Sequence, residues 1–167
     1  MENSNDIRNP LPFDRDFTRH FNASQGYLKL DMISESCEEI SEIKPEYGLY
    51  PEVMQLKTWI LMKRGEWDRA LTLSQCLLNS NPDLLLPYLD GSYCLHELGK
   101  TVDARETLLN GPGELQDYPV YHYNLACYEA CLGNITSAHN YLEEAISLNS
   151  VYLKEAKKDP DLKVLFI

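Results

Sequence analysis

The sequence contains no long hydrophobic run. No apolar stretch approaches the ~20 residues that a membrane-spanning helix needs, so no such helix is expected. Cations are also scarce. Fifteen Lys and Arg stand against 26 Asp and Glu, for a formal net charge of -11. An acidic surface of this kind repels phosphate backbones and anionic lipid, which argues against nucleic acid and membrane surfaces as partners. Phosphate-cradling loops are absent, since neither G-x-G-x-x-G nor G-x-x-x-x-G-K-[ST] occurs. H-E-x-x-H and G-x-S-x-G are missing as well. GPGELQ (111–116) is glycine-rich but has no strand before it. No catalytic residue, metal site or cofactor is therefore expected. The opening MENSNDIRNP has no basic-then-apolar order, which points to the cytoplasm. The five cysteines are odd in number and lack a framework spacing, so they read as thiols of a reducing compartment.

What the sequence does contain is periodicity. Gly65, Gly99 and Gly133 are 34 residues apart, and so are Ala70, Ala104 and Ala138. Apolar residues flank each glycine at helical spacing, as Met54 and Leu61 do before Gly65 and Leu71, Leu77 and Leu78 after it. Each unit therefore reads as two helices joined at a glycine, with the alanine where they come closest. A single pair cannot bury its apolar face, whereas stacked pairs bury a continuous core.

A 34-residue helix-turn-helix unit of this kind resembles the tetratricopeptide repeat. The match is best over 51–82, where Gly65, Trp67, Ala70 and Pro82 stand at the turn, aromatic, small-residue and closing-proline positions. Leu125, Ala126, Gly133, Ala138, Leu142 and Ala145 match in 119–150, and Tyr88, Gly99, Ala104 and Leu108 in 85–118. One period upstream of Gly65 and Ala70 lie Asp31 and Ser36, which mark a degenerate unit over about 22–44. YNLACYEACLG followed by DPDLKVLF is similar to the ending of a group of bacterial tetratricopeptide proteins, mostly binding scaffolds.

The resemblance implies an all-α fold, a right-handed superhelix of antiparallel helix pairs. Three clear repeats (51–84, 85–118, 119–150) would follow the degenerate one, with a cap at 151–167 in which Leu162, Leu165 and Phe166 cover the last pair. Residues 20–167 would form one domain behind an extended arm, 1–19. The resemblance also implies that the first helix of each pair lines a concave groove. Its groove-facing positions carry Gln55, Trp59 and Met62, then Leu89, Tyr93 and His96, then Tyr123 and Cys127, with Asn124 alongside. Trp59, Met62, Leu89, Tyr93 and Tyr123 would make an exposed apolar and aromatic strip suited to a partner segment. Only Lys63 and Asn124 match the basic clamp by which some family members hold chaperone tails, which counts against that partner.

The function expected is a protein-interaction scaffold that holds a peptide segment of a partner. A secretion-type chaperone and a self-assembling homodimer are the alternatives. For Cys127 and Cys131, three readings stay open: small apolar lining, part of a soft-metal site with His96, His122 or Cys94, or a redox thiol.

Overall fold

The computed structural model describes residues 14–166, all helix, turn or loop, with no strand among them. The first 13 residues, most of the expected arm, lie outside the described residues. Where one domain was expected from residue 20, two compact units divide between Val53 and Met54.

In the first unit, α1 (Arg15–Lys29) packs on α2 (Ile33–Ser41). Residues 15–19, assigned to the extended arm, are helical instead. Asp14 is the reason. Its side chain caps the helix by accepting the Phe17 amide at 2.8 Å, and it pairs with Lys44. Phe17 is buried, with its ring centroid 5.4 Å from that of Phe21 and 4.9 Å from that of Tyr47. This aromatic cluster anchors the first turn.

The second unit continues α3 (Pro51–Lys63), which opens at the division. It then runs through α4 (Trp67–Ser80), α5 (Leu86–Glu97), α6 (Thr101–Leu109), α7 (Pro119–Cys131), α8 (Ile135–Leu148) and α9 (Val151–Ala156). Consecutive helices from α4 to α9 pack on one another apart from a short interruption after α6. There GPG ends α6 early, and Leu115, on a 3-10 turn at Gly113–Asp117, fills the space. Gly111 leaves room for this packing, because a Cβ there would come within 2.5 Å of Leu115 Cδ1 and force that side chain to shift.

One turn design joins the helices of each pair. Gly65, Gly99 and Gly133 have φ of 71°, 75° and 81°, and Asp31 at the equivalent place has φ 60°. In every case the next amide reaches back across the last turn: Met32 to Tyr27 O, Glu66 to Leu61 O, Lys100 to Leu95 O and Asn134 to Glu129 O, at 2.8–2.9 Å. This is the Schellman closure, which needs a left-handed residue. Aspartate tolerates that conformation better than most side chains, so the degenerate unit keeps its turn.

Small residues recur on both helices of each pair. Ala70, Ala104, Ala138 and Ser36 are fully buried, and so are Ser24, Thr58, Ser92 and Ala126, a second 34-residue series on the first helices. In the degenerate unit the two serines are cross-bonded, each hydroxyl donating to the other's backbone carbonyl at 2.9 Å. The core gathers around α7 and α8, where Leu108, Leu115, Leu125, Tyr128, Leu142, Ala156 and Leu162 are buried together. Leu162 and half-buried Leu165 cover the last pair as expected, but Phe166 is exposed and does not.

Candidate partner-binding face

The candidate residues within the second unit lie on α3, α5 and α7, and burial divides them. Tyr93 is 36% exposed, and Trp59, Met62, His96, Tyr123 and Asn124 are half-buried. Leu89, expected in the exposed strip, is 7% exposed and so buried, and Gln55 and Cys127 are buried too. These three form the floor under the others rather than a surface. The expected strip is thus shorter by one apolar side chain, because Leu89 turns into the core cluster with Leu125 and Tyr128.

A buried carboxylate that sequence reasoning missed fixes the α3 side chains. Asp90 on α5 accepts from Gln55 Nε2 and, at 2.9 Å, from Trp59 Nε1. Burial pushes its carboxyl up from 3.8 to about 6, and the two donors only partly oppose that. The available signal was an acid in an otherwise apolar helix, PYLDGSYCL. Tyr93, one turn further along, meets the Trp67 ring edge-on at 5.7 Å between centroids. Burial and the neighbouring Glu97 raise its hydroxyl to about 12, so it stays a neutral donor.

Between α5 and α7 lies a cleft of about 350 Å³. Tyr93, His96, Tyr123, Asn124, Cys127 and Tyr128 make its helical walls, and the segment Glu155–Asp161 makes the remaining side. Here the chain's own tail bonds to the candidate residues. Tyr123 Oη donates to Asp159 at 2.7 Å, and Cys127 Sγ lies 3.7 Å from the same oxygen. His96 Nε2 is 2.9 Å from Asp161, while its Nδ1 is 3.0 Å from Thr101 Oγ1. Asp159 also accepts the Asp161 amide at 3.0 Å, which shapes the DPD turn. Glu97, Glu155, Asp159 and Asp161 face this cleft against Lys158 alone, so it is acidic.

Reactivity of the thiols is set by the same surroundings. Burial, with Asp159 and Asp161 nearby, pushes the Cys127 thiol far up, and it pushes Cys131 to about 11. Both directions oppose a redox role, which needs a stabilised thiolate. His122, named on sequence as a possible metal ligand, is turned away and bonds the Gln116 carbonyl through Nε2 at 2.8 Å. A further acid escaped notice in CYEACLG. Glu129 is buried, accepting from Arg105 Nε at 2.5 Å and Asn134 Nδ2 at 2.6 Å.

No protein-family model matches the sequence, and no curated protein matches it. Solved structures do. MamA (AMB-1) superposes over 92% of this chain and 88% of its own, with a TM-score of 0.68 at 15% identity. The fold is tetratricopeptide-like and all-α. A MamA point mutant covers 79% of this chain and 96% of its own, at 13% identity and a TM-score of 0.47. No described helix is long and apolar enough to cross a membrane.

Proposed function

We propose that this protein is a non-catalytic scaffold that holds a short segment of another polypeptide along α3, α5 and α7. The observation that supports this reading best is that α5 and α7 already hold peptide. Through His96, Tyr123 and Cys127 they engage the chain's own DPD turn. Beside that turn, the cleft leaves room under Tyr93 and Asn124 for a side chain from outside. An aromatic or aliphatic anchor fits between Tyr93 and Tyr123, and the acidic rim favours a basic residue next to it. Trp59 and Met62 extend the surface along α3. The LACYEACLG and DPDLKVLF segments that carried the likeness to bacterial scaffolds contribute Cys127, Tyr128, Asp159, Pro160 and Asp161 to this cleft.

Selection from a displayed random-peptide library tests the reading. Peptides combining an aromatic or aliphatic residue with Lys or Arg should be enriched, and Tyr93→Ala, which leaves the core alone, should weaken them about thirtyfold, or about 2 kcal/mol. No enrichment, or enrichment indifferent to Tyr93→Ala and Glu97→Lys, would refute it. Light scattering on the same samples separates it from self-assembly, which would appear as a concentration-dependent dimer.

A further inference from the structure

We propose that the DPD turn and the ends of α5 and α7 form a binding site for a divalent transition ion of the zinc type. Its protein ligands are His96 Nε2, Cys131 Sγ and an Asp161 carboxylate oxygen. Those three atoms already lie within 4.8 Å of one another. They come from three separate elements, so helix spacing alone does not explain their convergence. A mixed nitrogen, sulfur and oxygen set suits a borderline-soft ion, and three protein ligands with a solvent position is a common zinc arrangement. Cys131 is exposed, which leaves that fourth position open to water. Drawing the ligands to about 2.0–2.3 Å from an ion asks for side-chain shifts of ~1 Å.

The surroundings fit as well. Thr101 Oγ1 at 3.0 Å from His96 Nδ1 can accept its N–H, which frees Nε2 as a ligand and orients the ring. A second triad, Cys127, Asp159 and Asp161, shares Asp161 and adds negative charge beside the first. On binding, the Cys131 thiol proton goes to solvent. The His96–Asp161 hydrogen bond gives way to two bonds to the ion, and the ring proton moves from Nε2 to Nδ1. An ion here would pin the tail to α5 and α7 and so fix how wide the adjoining cleft stands.

Two experiments on the full chain test this. Chelator-stripped protein titrated with Co²⁺ should take up one ion per chain, with thiolate-to-cobalt charge-transfer absorption and the intense visible bands of a four-coordinate centre. Cys131→Ser should abolish the charge-transfer band, Asp161→Asn should weaken binding at least about tenfold, and Thr101→Val by about tenfold. Cys76→Ser, at an exposed position of α4, should change nothing. The second experiment needs no variant. Mass mapping of alkylated native protein should show Cys131 protected by Zn²⁺ while Cys76 labels equally with and without it. A cobalt complex lacking the charge-transfer band, or Cys131 alkylated equally with and without Zn²⁺, overturns the proposal. Neither outcome bears on the peptide selection, so the two readings fail separately.

Discussion

Replacing Asp90 by asparagine isolates the electrostatics beneath the candidate face. The carboxyl is buried between α5 and α3, and burial raises it from 3.8 to about 6 despite donors from Gln55 and Trp59. Folding therefore takes up a proton between those pH values. Stability from this group is full below 3.8 and is lost as pH rises to about 6. A shift of about two units corresponds to about 3 kcal/mol. An asparagine has nearly the same shape, accepts the Trp59 N–H through its carbonyl, and does not titrate. Urea unfolding of both proteins, followed by circular dichroism, should be compared at about pH 3 and about pH 7.5, on either side of the transition. Other groups titrate in both chains and cancel in the difference. Wild type should lose about 3 kcal/mol relative to Asp90→Asn across that range. If the gap is independent of pH, or if wild type gains relative to the variant, then Asp90 is ionised in the fold and the two donors outweigh burial.

Other consequences are as direct. Arg105→Ala strands buried Glu129 with Asn134 as its remaining side-chain donor and should cost about 3 kcal/mol by urea melt, with Glu129→Gln milder. Ala104→Val adds bulk at a fully buried position of α6 and should cost about 1–3 kcal/mol. Gly99→Ala meets no atom within 4 Å, so its cost is backbone strain at φ 75°, about 1 kcal/mol after the stiffer unfolded chain is allowed for. Cys94 and Cys127 should resist a thiol reagent in native protein at neutral pH and react on unfolding. Rapid native labelling at either would contradict their burial and raised thiol pKa values.

The repeat was legible in the sequence because each turn depends on one residue's backbone freedom, and glycines at a fixed interval report that directly. Asp31 was legible by the same interval although it is not glycine. The second series, Ser24, Thr58, Ser92 and Ala126, has the same spacing but hides behind three residue types, which share small volume rather than chemistry. The start of α1 was missed because a cap and an aromatic cluster, Asp14 with Phe17 and Phe21, define it without helical periodicity. At the candidate face, register placed the named residues on α3, α5 and α7, while burial of Leu89, Gln55 and Cys127 depends on neighbours distant in sequence. Asp90 and Glu129 were invisible as partners for the same reason. The bonding of Asp159 and Asp161 to Tyr123 and His96 joins residues 36 and 65 positions apart, which no local pattern encodes.

The eight small, fully buried side chains on the paired helices bear on how the chain could change length. Their hydroxyls are satisfied close at hand: Thr58 donates to Met54 O, Ser92 to Leu89 O, and Ser24 and Ser36 to each other's carbonyls. A segment cut at one period therefore leaves no donor on that row waiting for the next segment to complete it. Tandem duplication or deletion of a whole unit would preserve these bonds, so such proteins can grow or shrink by units while insertions of any other size break the register.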